Sequence, residues 1–192
     1  MNEPYDVSLA ERRAPDADER GTRRAELART HRVGIGEYVV SNKPDDVLTT
    51  IALGSCVAVC LWEPTARVGG ILHFMLPEAR LNSDRARLQP AAFADTGITL
   101  LFRSAYELGA QKKRCIIRLV GGAEIASPRP EGSESIFDVG RRNVLAARGV
   151  LWRNGIMVNG ELVGGTAART ITMAVADGRV MIKTDGHLVA EL

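Results

Sequence analysis

Two apolar runs constrain this chain more than any other feature: Val57-Ala58-Val59-Cys60-Leu61-Trp62 and Ile71-Leu72-His73-Phe74-Met75-Leu76. The turn-rich stretch from Glu63 to Gly70 separates them, so they read as the two strands of a hairpin. A strand with one wet face alternates apolar and polar residues, and neither run does. Such a hairpin must be covered on both faces by other layers of the fold.

The remaining pattern supplies those layers. Gly34 to Val40, Leu48 to Leu53, Cys115 to Val120, Gly155 to Val163, Thr170 to Val175 and Arg179 to Lys183 read as strands. Ala91 to Leu108 is helical, with Ile98, Leu101, Ala105 and Leu108 at helical spacing and Gly109 as the stop. Asn143 to Arg153 is a second helix, with Val144, Ala147 and Leu151 on one face. Pro77 to Pro90 reads as a surface loop, and a Ser/Pro/Gly/Glu-rich loop runs to Ser135. The expected architecture is a mixed α/β sandwich of largely antiparallel sheet layers packed with two main helices.

Residues 1–32 differ in composition from the remainder of the chain. Seven acids and seven bases crowd a segment with few large apolar residues, and Pro15 and Gly21 interrupt any helix. So little apolar surface does not offset the entropy of ordering, so a charged mobile tail is expected at 1–32 and one domain at 33–192. A short helix near 22–30 that forms on a partner is the functional alternative. The chain carries 25 Lys+Arg against 23 Asp+Glu, a net charge of +2, with bases scattered among acids. No stripe of the kind that binds nucleic acid is present. No apolar run approaches the ~20 residues that span a bilayer, so no membrane insertion is expected. Three cysteines in a chain without a hydrophobic leader point to free thiols in a reducing cytoplasm.

Cys56 is the candidate nucleophile. It follows Leu53-Gly54-Ser55, a sharp turn between apolar strands that exposes the thiol and neighbouring N–H groups. The backbone at Gly54 and Ser55 is the candidate support for a developing oxyanion. A hairpin turn centred on Pro64-Thr65 sets Cys56 directly opposite His73, ~4.5–5.5 Å apart at Cβ, within thiol–imidazole reach. A one-residue slip would move His73 to the other face. An adjacent imidazole makes the thiolate accessible, and the imidazole needs a third group to fix its ring. Thr49 or Thr50 can supply it, but alternation lets only one face the site. Cys60 and Cys115 read as core sulfurs. Cys56, Cys60 and His73 give only three metal ligands, and the two thiols lie ~13 Å apart along a strand, so no zinc site is expected. A redox pair of Cys56 and Cys60 is disfavoured by the same spacing.

Thr50, then Leu53-Gly54-Ser55-Cys56-Val57-Ala58-Val59-Cys60, then Gly69-Gly70-Ile71-Leu72-His73-Phe74-Met75-Leu76-Pro77 resemble the CheD family of chemoreceptor glutamine deamidases. Phe93-Ala94-Asp95-Thr96, Gly121-Gly122-Ala123 and Gly140-x-Arg142-Asn143-Val144 extend the similarity to about Lys183. The resemblance implies a Cys–His–Thr deamidase on a sandwich similar to the catalytic domain of cytotoxic necrotizing factor toxins. It makes Cys56 the nucleophile, His73 the base and Thr50, six positions before the cysteine, the orienting residue. The implied reaction converts receptor glutamine to glutamate with release of ammonia through a thioester, with no metal or organic cofactor. The implied partners are chemoreceptor cytoplasmic helices as substrate and a CheC-type phosphatase. A non-catalytic adaptor that binds CheC and receptor helices is the competing reading. The intact Thr50, Cys56 and His73 favour the enzyme, because a pure binder has no use for all three.

Overall fold

A computed structural model describes residues 29–124 and 139–192. The expected 1–32 tail lies outside these residues as far as residue 28, and so do the alternative helix near 22–30, up to the same point, and most of the loop to Ser135. Among the described residues ten strands form two five-stranded sheets. The first sheet has β1 (Arg29–Arg32), β3 (Asp46–Leu53), β8 (Arg169–Ala174), β9 (Val180–Thr184) and β10 (His187–Glu191) in that order. The second has β2 (Glu37–Ser41), β5 (Val68–Phe74), β4 (Val57–Glu63), β6 (Ile116–Gly121) and β7 (Gly160–Val163). Only β1–β3 and β6–β7 pair in parallel, so the sheets are largely antiparallel as expected.

The doubly apolar hairpin sits where its composition requires. β4 and β5 occupy the inner positions of the second sheet, and every residue of β5 is buried. One face of the hairpin, with Val57, Val59, Leu61, Leu72 and Phe74, packs under α2 (Ala94–Glu107) and α3 (Val139–Arg153). The other face, with Ala58, Cys60 and Ile71, packs on Leu48, Ile171, Met173 and Ile182 of the first sheet. The layers therefore run sheet, sheet, helices, with the hairpin in the middle.

Four expectations change. Arg29–Arg32 is a strand bonded to β3, and Val33 is buried, so the sheet begins before residue 33. Between Pro77 and Pro90 the chain forms a 3-10 turn at Ala79–Leu81 and the short helix α1 (Ser83–Leu88), which Asn82 caps by accepting the Arg85 N–H. Neither buries any side chain, so no apolar period marks them. The same holds for β10, an edge strand with no fully buried residue. Finally, the β4–β5 turn spans Pro64–Arg67, where the Glu63 carboxylate accepts the Ala66 N–H and Arg67 takes a φ of 52°. A four-residue turn shifts the register by two, and His73 faces Ala58 instead of Cys56. A shift of two keeps every side chain on its face.

The Gly54-Ser55-Cys56 turn is held by glycine backbone. Cys56 O accepts the Gly122 N–H at 2.7 Å, and Gly54 O accepts the Ala123 N–H at 2.8 Å. Above them the start of α3 lies so close that a Cβ on Gly140 would fall 2.6 Å from Gly122 O and 2.9 Å from Ala123 O. Both obstacles are backbone, so no rotamer change relieves them. Alanine gains about 1 kcal/mol over glycine inside a helix, less at its second residue, whereas such overpacking costs about 1–3 kcal/mol. Gly140→Ala is therefore expected to destabilise the protein by about 1–2 kcal/mol, read as a lower urea midpoint at unchanged m-value.

Candidate active site

The site forms where β3 hands the chain to the second sheet. The β3–β8 register breaks between Thr50 and Leu53, with Ala52 in a left-handed conformation (φ 57°). This bulge turns Ile51 and Ala52 outward and Leu53 inward, and the chain crosses to β4 through Gly54-Ser55-Cys56. Cys56 lands two residues before Ala58, packed against the cluster between the sheets that also holds Ala58, Cys60 and Ile71. His73, opposite Ala58 on the same side of β5, points into that layer and is 1% exposed.

Thr50 comes from the other sheet and closes the arrangement. Its Oγ1 lies 2.8 Å from His73 Nδ1 and donates to Val33 O at 2.7 Å. The hydroxyl has one proton, and it is directed at the carbonyl. Nδ1 must then carry its own proton and donate, which leaves Nε2 as the basic nitrogen. Nε2 is buried and has no hydrogen-bond partner among the described residues. Thr49 faces the other way, donating to Ile171 O at 2.8 Å and lying 3.4 Å from Thr172 Oγ1. Of the two threonines left open by alternation, Thr50 is the one beside the imidazole.

Burial sets the electrostatics. It draws the His73 imidazole down to about 4. It also pushes the Cys56 thiol above its ordinary value, with the residue's own backbone N–H partly opposing. Both effects favour the uncharged form, so the resting pair is a neutral thiol and a neutral imidazole. Cys60, pushed up to about 12 within the core, and Cys115, pushed up to about 11, are inert by comparison. Cys115 donates to Gln111 O at 3.4 Å.

The turn holds one departure from expectation. The Gly54 N–H donates to Ala52 O at 2.9 Å and is committed to the bulge. The amides of Ser55 and Cys56 remain as the donors beside the sulfur. Two polar residues to which the sequence reading gave no role also border this turn. Asn143, fully buried on α3, donates from Nδ2 to Ser55 O at 3.0 Å and Met75 O at 2.9 Å. Arg169 donates to Gly164 O at 2.8 Å and Gly121 O at 3.4 Å. Asn143 stands in the Gly140-x-Arg142-Asn143-Val144 pattern and beside the apolar stripe of its helix, but neither signal specifies what its amide holds. Among the described residues no three His, Cys, Asp or Glu side chains gather as metal ligands, and no helix is long and apolar enough to cross a membrane.

A layered sheet–sheet–helix fold thus places a thiol, an imidazole and a hydroxyl near one sheet crossover. Residues 75–184 match the family model described as CheD chemotactic sensory transduction. A protein of Syntrophus aciditrophicus named "Probable chemoreceptor glutamine deamidase CheD 1" is 42% identical over 160 residues, covering 83% of this chain and 97% of its own. CheD-named relatives from Solibacter usitatus (40% identical, 80% of this chain and 88% of theirs) and Caldanaerobacter subterraneus (42%, 81% and 93%) carry the same deamidase description. The chain belongs to the CheD family.

The depressed imidazole links to stability. Unfolded, His73 takes a proton near its ordinary 6.5; folded, it resists until about 4. Between these values the unfolded state binds more protons, so stability is complete above about 6.5 and declines as pH falls toward 4. The urea midpoint is expected to fall across that window, and to fall less steeply in His73→Gln.

Proposed function

We propose that this protein is a protein-glutamine deamidase acting on chemoreceptor helices, with Cys56 as nucleophile, His73 as general base and Thr50 as the residue that orients it. The observation that carries the reading is the Thr50–His73 hydrogen bond, which leaves Nε2 bare in the layer that Cys56 enters. The deamidase names of the CheD relatives supply the substrate class.

The chemistry runs from a neutral pair. As the Cys56 sulfur attacks the glutamine side-chain carbonyl, His73 Nε2 takes the thiol proton. The carbonyl oxygen gathers negative charge, which the Ser55 and Cys56 amides stabilise. The C–N bond then breaks, and the proton on Nε2 passes to the leaving nitrogen as ammonia departs. Nε2 next takes a proton from water as that water attacks the thioester. Collapse releases glutamate and returns the proton to the sulfur. One water is consumed and one ammonia formed, and no cofactor enters. Throughout, Thr50 holds Nδ1, so the transient imidazolium keeps its orientation.

On this reading the domain works in the cytoplasm. A CheC-type phosphatase belongs to the same reading as a second protein partner, held by the groove that takes the receptor helix.

Incubation with receptor cytoplasmic fragments is expected to add about one dalton per converted glutamine, the difference between –NH2 and –OH. Cys56→Ala abolishes the gain, and His73→Ala reduces the rate by about 10²-fold or more, the usual contribution of a general base. Thr50→Val, which keeps the shape but removes the hydroxyl, lowers kcat by about tenfold or more. Because both reacting groups rest uncharged, alkylation of Cys56 is expected to climb with pH beyond neutrality, with no plateau around pH 7. A wild-type protein that leaves its receptor fragments unchanged in mass overturns the reading.

A further inference from the structure

We propose that Asn143 is a positioning residue for the deamidation, holding the strand end that carries Cys56 against the strand end that carries His73. The inference rests on the deamidase reading of the site. The β4–β5 ladder stops at the Val57–Phe74 pair, and beyond it the two chains diverge. Met75 and Leu76 turn away to donate to Ala92 O, while Cys56 O is held by the Gly122 N–H just past β6. Nothing in the ladder therefore fixes Ser55 relative to Met75. Asn143 does so with one nitrogen, whose two protons go to Ser55 O at 3.0 Å and Met75 O at 2.9 Å. Ser55 adjoins the nucleophile, and Met75 lies two residues past the base.

The residue type matches this task. Two carbonyl oxygens repel when brought together, and a primary amide supplies two N–H groups from a single rigid atom. A short stem on a well-packed helix fixes that atom, because α3 is itself seated by the Gly140 contact with the backbone of Gly122 and Ala123. Asn143 is fully buried, and its Oδ1 has no partner among the described residues. An orphaned buried acceptor is unfavourable. A residue needed only for packing would avoid it by being apolar, like its neighbours Val144 and Ala147. The amide is retained for its donors. Loss of those donors frees the two strand ends to move apart, and a shift of about 1 Å between reacting groups can cost on the order of 10²-fold in rate.

The test compares wild type with Asn143→Ala, Asn143→Ser and Leu151→Ala, the last a buried packing variant on the same helix. Steady-state deamidation of receptor fragments is measured at a temperature where each is folded, beside alkylation of Cys56 by iodoacetamide located by peptide mass. Asn143→Ala is expected to lower kcat by about 10–100-fold with KM within about threefold. It also slows Cys56 alkylation near pH 7.5. Asn143→Ser, which can restore one of the two bonds, falls between it and wild type, and it carries the test if the alanine variant does not fold. Leu151→Ala loses thermal stability but keeps its kcat. The proposal is overturned if the Asn143 variants keep kcat within about threefold of wild type. It is equally overturned if Leu151→Ala loses as much kcat at the same loss of thermal midpoint. An inactive wild type indicts the deamidase reading instead, and alkylation then decides alone: equal rates in wild type and Asn143→Ala overturn the positioning role.

Discussion

The hydroxyl of Thr50 has a single proton, and where it points determines the rest of the site. Directed at Val33 O, it can only accept from His73, which fixes the tautomer and leaves Nε2 free for proton transfer. The same contact joins the two sheets, since Thr50 belongs to β3 and His73 to β5. Thr50 reaches its place because β3 alternates regularly up to that residue and bulges just after it. The bulge that ends the regular pairing also sends the chain toward Cys56. Sheet packing, tautomer and nucleophile placement thus share one short segment.

Burial determines how this site differs from one that stores a charged pair. An imidazole placed between two apolar sheets stays uncharged at neutral pH, with its one proton on Nδ1, and a thiol packed beside the same cluster keeps its own. In the proposed deamidation, proton transfer therefore accompanies attack. That arrangement needs accurate geometry, because no pre-formed thiolate compensates for a misplaced base. The dense backbone contacts among Gly122, Ala123 and Gly140 around the nucleophile turn serve that need.

Much of this was readable from residue order, and the reasons for the failures are physical. A hairpin apolar on both sides forces a middle layer, and the apolar stripes of Ile98-Leu101-Ala105 and Val144-Ala147-Leu151 identify the helices that cover it. The register was displaced by two because the Glu63 carboxylate caps a four-residue turn, a side-chain interaction that turn propensities do not express. The face of His73 survived because the displacement was even. Elements that bury nothing, such as α1 and β10, leave no periodic trace. Alternation reduced the orienting group to Thr49 or Thr50, and family resemblance chose Thr50; tertiary contact then put it beside the ring. Asn143 is visible in a motif, but its task is not, because that task depends on two carbonyls far away in sequence.

The uncharged thiol has a bearing on endurance. Peroxide and other two-electron oxidants react with the thiolate, and sulfenic acid forms slowly on a sulfur that keeps its proton. The Cys56 thiol, pushed up by burial, is therefore a poorer target for such oxidants than an exposed low-pKa cysteine. The burial that leaves the proposed base more to do in each turnover also slows oxidation of the sulfur between turnovers.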